Sequence, residues 1–254
     1  MHWIRFERDG NIGFGTLHDD VIRIHEGNMF VDSRATNDTV PLADVTLLTP
    51  CVPTKMIALW NNYHALAAKL NLTPPPEPLY LLKAPNSFLA GGQTIRVPAS
   101  YPGKVVYEGE LGVVIGKRAS NVSEADAAQY IFGYTCSNDV TAAEIIQKDP
   151  TFAQWTRAKG FDSFGVFGPV IATDVNPLDL HVKTLLDGKE RQNYPVSDMI
   201  FKPAQIVSLI SRDMTLYPGD VISCGTSVGV GSMKPGSKIE IVIDGIGTLS
   251  NEYK

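Results

Sequence analysis

The chain has little cysteine, no long apolar run and no concentration of positive charge. Its three cysteines, Cys51, Cys136 and Cys224, lie far apart and are odd in number. Neither a disulfide frame nor a clustered zinc site is expected from them. They read as small buried side chains in a reducing compartment. No stretch approaches the ~20 apolar residues needed to cross a bilayer. The segment Met1 to Asp9 carries acids and lacks a signal-type apolar core. Charged residues make up 19% of the chain, the net charge is −5, and no Lys/Arg block stands out. That balance argues against a nucleic-acid groove or an anionic membrane surface as a target. There is no repeat and no low-complexity tract. The expectation is a cytoplasmic protein whose partner is a small molecule.

What is present is a chain of 254 residues with 44% hydrophobic content. That suffices for one large domain, or one and a half. Short apolar segments alternate with turn residues along the first part. Strands are predicted at Trp3–Phe6, Gly13–Leu17 and Val21–His25, punctuated by Gly10-Asn11 and Asp19-Asp20. Further strands are expected at Met56–Trp60, Leu79–Leu82, Thr94–Pro98, Val221–Cys224, Lys238–Asp244 and Ile246–Leu249. Helices are fewer. One is expected over Asn62–Leu72, stopped by Pro74-Pro75-Pro76. Another runs over Glu124–Tyr130 behind a capping-box-like Ser123 to Asp126. Short ones are expected over Ala142–Lys148 and Pro203–Ser211. The fold class is mainly β with a few short helices (α+β). A small β-rich N-terminal domain over 1–50 precedes a main domain over 51–254.

The densest chemistry lies at Glu108 and Glu110, which head the apolar run Leu111 to Ile115. Residues i and i+2 of a strand share a face. Two carboxylates on one face of a largely buried strand repel each other and are costly to desolvate. A divalent cation is the simplest compensation, and oxygen-only ligands favour hard ions such as Mg²⁺, Mn²⁺ or Ca²⁺. Asp139, at the end of another apolar stretch, supplies a third acid. A surface strand with two solvated glutamates would have the same spacing. Lys159, twenty residues after Asp139, reads by itself as a solvated loop lysine.

Several blocks narrow these alternatives. They are Tyr107-Glu108-Gly109-Glu110-Leu111, Gly133 to Asp139, Ala158 to Phe164 and Pro218 to Thr226, with Pro76 to Pro85 ahead of them. In this order and spacing the chain resembles the fumarylacetoacetate hydrolase family over roughly residues 54 to 250. The resemblance implies a mixed β-roll/barrel catalytic domain of that family's type. It implies a Mg²⁺ or Mn²⁺ site at Glu108, Glu110 and Asp139, which Ca²⁺ is able to take in a crystal. It makes Lys159 the catalytic cation facing the metal-bound substrate. Gly225 and Thr226 become substrate-carboxylate contacts, with Gln147 nearby. Lys83 also fits the pattern, with no role assigned; a structural lysine packed on apolar surface is an equal reading. A homodimer or a dimer of dimers is implied.

Two departures bear on the reaction. Hydrolytic relatives carry His and Glu on a lid helix to activate water. In this register Leu66 takes the histidine position and Lys69 the glutamate position, while His64 sits two residues early and should face elsewhere. An arginine usual after the aspartate is Ala143, and another is Asn61. The leading expectation is a metal-dependent hydrolase cleaving a C–C bond in a 2-oxo acid of acylpyruvate type. The alternative is a decarboxylase or isomerase/tautomerase of a 2-oxo or 2-hydroxymuconate-type dicarboxylate. A non-catalytic metal- or ligand-binding protein is the third.

Overall fold

The computed structural model describes residues 1–254. Four strands open the chain: β1 (His2–Arg8), β2 (Asn11–His18), β3 (Val21–Glu26) and β4 (Arg34–Pro41), followed by the two-residue β5 (Thr46–Leu47). Two of their hairpins turn through Asp9-Gly10 and Asp19-Asp20, all four residues at positive φ. That geometry matches the right-handed twist of the flanking strands, and short polar residues and glycine tolerate it best. β1 also pairs with a distant strand, His2 opposite Ala172 and Trp3 opposite Ile171. The N-terminal unit therefore extends the main sheet, although it keeps a small core of its own at Ile4, Phe6, Ile22 and Val40.

The middle of the chain supplies β6 (Met56–Trp60), α1 (His64–Lys69), β7 (Leu79–Lys83), β8 (Phe88–Leu89), β9 (Thr94–Ile95), β10 (Val105–Tyr107), β11 (Gly109–Ile115), α2 (Glu124–Ala127), β12 (Ile131–Asp139), β13 (Thr141–Ala142) and α3 (Trp155–Lys159). The rest contributes β14 (Gly165–Ala172), β15 (His181–Leu186), β16 (Lys189–Pro195), α4 (Pro203–Asp213), β17 (Val221–Ser223), β18 (Gly231–Ser232), β19 (Lys238–Ile243) and β20 (Gly247–Tyr253). The large sheet runs β4-β3-β2-β1-β14-β12-β11-β17-β6-β7, with β5 on β1 and β8 on β14. A three-stranded sheet is ordered β13-β10-β18, and a five-stranded one β16-β15-β19-β20-β9. Every residue of β11 is buried, as expected for a central strand covered on both faces. The main core spreads from Ile57 and Leu111 to Ile241 and Leu249.

Three of the four predicted helices are shortened, while the one expected over Pro203–Ser211 runs on to Asp213. Ser123 caps α2 by accepting from the Asp126 N–H. α1 stops at Lys69, before the prolines, because Asn71 is left-handed (φ 53°). The Leu72 N–H donates to the Ala67 carbonyl at 2.9 Å and the Asn71 N–H to Ala68 at 3.2 Å, a Schellman closure. The helix expected over Ala142–Lys148 reduces to one 3-10 turn, Ala143–Ile145. Thr141 and Ala142 are held as strand instead, by pairing with Val106 and Val105. The strand expected over Thr94–Pro98 covers Thr94–Ile95 only. All three cysteines are free and buried. No helix is long and apolar enough to cross a membrane.

Candidate metal centre

Two strand pairs change sheets at the same level. β10 and β13 pair in the small sheet, and their continuations β11 and β12 pair in the large one. Glu108 is the break between β10 and β11, Glu110 is the second residue of β11, and Asp139 ends β12. The Asp139 N–H donates to the Glu108 carbonyl at 3.0 Å. The Glu108 N–H donates to Asn138 Oδ1 at 3.0 Å. This crossing brings the three carboxylates together, with one oxygen from each within 4.8 Å of the others. The two glutamates do not share one unbroken strand, yet they converge as the i, i+2 spacing anticipates.

The cluster is buried and charged. Glu110 and Asp139 are fully buried. Glu110 Oε2 accepts from the Gly225 N–H at 2.8 Å, while its Oε1 has no partner. Glu108 Oε1 accepts from the Thr141 hydroxyl at 3.0 Å and its Oε2 from Lys159 Nζ at 3.0 Å. Lys159 Nζ also donates to Asp139 Oδ2, and Lys83 Nζ to Asp139 Oδ1. Lys83 donates further to the Val140 carbonyl at 3.3 Å. Burial, then the charges of Asp139 and Glu108, push the Glu110 carboxyl well above the usual range. Burial also raises Glu108, against the pull of Lys159. Burial works the same way on Asp139, but Lys159 and then Lys83 overcome it and hold that carboxyl below its ordinary value. Burial opposes the charge on Lys159, yet Asp139, Glu108 and Glu110 keep its pKa above normal. For Lys83, burial prevails and lowers it.

This donor set fits a hard divalent cation. It offers oxygen ligands only. Three carboxylates outnumber two ammonium groups. A fully buried carboxylate oxygen without a partner is a costly defect that a cation would relieve.

The other expected residues fall at different distances from this chemistry. Lys159 closes the short helix α3 and faces the cluster instead of solvent. The Gly225 N–H is committed to Glu110. The Thr226 hydroxyl donates to the Gly109 carbonyl at 2.9 Å. In this structure both hold the glutamate turn. Gln147 is exposed in the turn after Ala143–Ile145 and makes no side-chain hydrogen bond to the cluster. On α1, Leu66 is buried in the main core, while His64 and Lys69 are exposed. A cavity of ≈ 780 Å³ is lined by Ala84, Tyr101, Glu144, Arg157 and Gly160 among others. It adjoins Lys83 and Lys159 in sequence, but none of the three carboxylates lines it.

Sequence reading left Lys83 without a role and passed over Gln192. For Lys83 a signal existed: in β7, Leu81 and Lys83 are the two buried positions, so the lysine alternates inward with an apolar residue. Gln192 lies in the strongly polar segment Lys189–Pro195, which carries no apolar alternation to mark a buried position.

Comparison with known proteins places these features in context. The family model described as fumarylacetoacetate (FAA) hydrolase C-terminal matches residues 55–253. One described as Rv2993c-like, N-terminal matches residues 1–50. Oxaloacetate tautomerase YisK of Bacillus subtilis (strain 168) is 35% identical over 225 residues, covering 83% of this chain and 74% of that protein. The 4-hydroxyphenylacetate degradation bifunctional isomerase/decarboxylase of Salmonella dublin is 38% identical over 200 residues, covering 78% of this chain and 46% of that protein. Among solved structures, 2-hydroxyhepta-2,4-diene-1,7-dioate isomerase from Mycobacterium marinum superposes with a TM-score of 0.91 at 36% identity, covering 100% of this chain and 98% of that one. Maleylpyruvate hydrolase from Sphingobium sp. SYK-6, in complex with manganese(II) ion and pyruvate, superposes with a TM-score of 0.80 at 26% identity, covering 100% and 98%. The mainly β fold with few short helices is thus the fold of these neighbours.

Proposed function

The chain belongs to the fumarylacetoacetate hydrolase family, and from that premise we propose a divalent-metal-dependent enzyme that enolises a small 2-oxo acid. One observation carries the reading: a buried trio of carboxylates, with Glu110 Oε1 unpartnered, faced by the charged Lys159. Glu108, Glu110 and Asp139 would hold the cation. When bound, the cation supplies Lewis acidity that favours the enol form of a 2-oxo acid. Lys159 keeps its proton and presents a positive N–H donor to negative charge developing on the substrate. Burial of the cluster excludes bulk water, which strengthens both effects. Gln147, exposed at the end of the polar turn, is proposed as a contact for the far end of the substrate. Gly225 and Thr226 act at the same site by anchoring the glutamates and shaping the adjoining wall.

The reaction at the enolate is tautomerisation, isomerisation or decarboxylation. None of these requires an activated attacking water. α1 supports this choice, since Leu66 is locked in the core and Lys69 points to solvent. The relatives that are a tautomerase and an isomerase/decarboxylase agree with it. Hydrolytic C–C cleavage is the second reading. It is favoured by likeness to the maleylpyruvate hydrolase, and it requires a water-activating group outside α1.

The test is incubation with oxaloacetate, acetylpyruvate and a 2-hydroxymuconate-type dienoate, each with Mg²⁺ and with EDTA. Enol absorbance, CO₂ release and acyl cleavage are followed separately. The expected result is Mg²⁺-dependent enol–keto exchange or decarboxylation with slow acetylpyruvate cleavage. Fast cleavage would favour the hydrolase. Tight metal binding without any turnover would leave only a binding protein.

A further inference from the structure

β17 leaves the large sheet too early to cover the glutamates. Its register with β11 runs Gly112–Ser223, Val113–Ile222 and Val114–Val221. One more ladder bond follows, from the Cys224 N–H to the Leu111 carbonyl at 2.9 Å. The chain then turns away at Gly225 (φ 89°). Gly109, between the two glutamates, therefore has no neighbouring strand on that side. A buried backbone N–H and C=O without partners would be costly.

Side chains take the place of the missing strand. Gln192 of β16, in the separate five-stranded sheet, accepts from the Gly109 N–H through Oε1 at 3.1 Å. The same Oε1 accepts from the Thr184 hydroxyl of β15 at 2.8 Å. Its Nε2 donates to Thr226 Oγ1 at 2.8 Å and to the Ser227 carbonyl at 3.2 Å. The Thr226 hydroxyl in turn donates to the Gly109 carbonyl, as does the Tyr194 hydroxyl. Both polar groups of Gly109 are thereby tied, and Gln192 links the glutamate turn to the loop that carries the Gly225 N–H. Space is equally restricted. A Cβ on Gly109 would lie 2.1 Å from Thr184 Oγ1 and 3.0 Å from Ile241 Cδ1. Gln192 itself is buried.

We infer that Gln192 is a positioning residue for the metal centre, fixing the peptide at Gly109 so that Glu108 and Glu110 aim at one point. An amide is suited to this task because one end must accept and the other donate. A carboxylate there could not serve Thr226 Oγ1 and the Ser227 carbonyl, and a thioether could serve neither end. The inference rests on the reading of the carboxylate trio as a metal site.

The test uses Mn²⁺ alone as probe, with affinity read by electron paramagnetic resonance and calorimetry on the full chain. Melting temperature and near-ultraviolet circular dichroism are recorded in parallel. Gln192→Met and Gln192→Glu should bind Mn²⁺ about 10–100-fold more weakly, the range typical of outer partners of metal ligands. The spectrum of bound Mn²⁺ should change while the dichroism stays native. Tyr194→Phe and Thr184→Val each remove one hydroxyl from the clamp and should give smaller losses. They also serve if the Gln192 variants do not fold. A merely structural role would lower melting temperature and leave Mn²⁺ affinity in the folded protein alone. Native-like variants that bind Mn²⁺ within about twofold of the unmodified protein overturn the inference. Failure of the unmodified protein to bind Mn²⁺ sinks the metal-site reading, and this inference with it.

Discussion

At the scale of single residues, the centre is a balance between carboxylates and two lysines. Glu110 is the carboxylate with least compensation, since only the Gly225 N–H serves it. One Mg²⁺ or Mn²⁺ binding event is expected in calorimetric titration, and Glu110→Ala or Asp139→Ala should abolish it. Wild-type-like affinity in both variants would refute the assignment. Lys159→Ala should reduce turnover of the metal-loaded enzyme by about 10²–10³-fold, the scale of losing one electrostatic stabiliser. The same change leaves Glu108 and Asp139 buried with fewer partners. The metal-free variant should lose roughly 3–5 kcal/mol, the scale of breaking a buried ion pair. Metal should restore most of that stability. A melting-temperature loss that saturating Mg²⁺ does not recover, with normal specific activity, would make Lys159 structural. Lys83 belongs to the same network through Asp139, but it touches neither glutamate.

At the scale of elements, the site follows from strand geometry more than from helices. α1 is short and faces its apolar side, Leu66 and Ala67, to the core. If the missing acid–base pair limits hydrolysis, Leu66→His with Lys69→Glu should raise acetylpyruvate cleavage, and enolisation should change little. General-base catalysis typically contributes ~10²–10⁴-fold. Rapid cleavage by the unmodified enzyme, insensitive to His64→Ala, would show that another group activates water. Much of this layer was legible in sequence. The carboxylate trio was readable because charge beside an apolar run is costly unless used, whereas Lys159 was readable only through the resemblance of its block to the family. The hairpins were readable from Gly10-Asn11, one residue beyond the turn found at Asp9-Gly10, and from Asp19-Asp20. β14 was not, since Gly165, Gly168 and Pro169 mask its apolar character. β15 and β16 were also missed, β16 because its polar segment Lys189–Pro195 resembles a loop. With them went Thr184, Gln192 and Tyr194, which meet the glutamate segment only through contacts between sheets.

At the scale of the molecule, the N-terminal unit and the main domain share one sheet through β1 and β14, although separate family models cover them. The opposite end of that sheet is β7, an edge strand with Leu79 and Leu82 exposed. Open apolar edges invite pairing unless covered. We expect a homodimer or a dimer of dimers, and closed twofold assemblies are the commonest oligomers. Light scattering at micromolar concentration should give a mass of two or four chains; a monomer mass would contradict this.

The crossing of strand pairs at Glu108 and Asp139 also has a consequence in time. The proposed centre draws on Glu108, Glu110, Asp139, Lys159 and the Gly225 N–H, gathered from far-apart stretches of chain. During synthesis no early fragment holds a finished pocket, because the amide for Glu110 emerges more than a hundred residues after its carboxylate. Metal capture would then be a late event, open only to chains that have completed their sheets. A cation held in this way would mark a finished molecule and pass over the half-made ones.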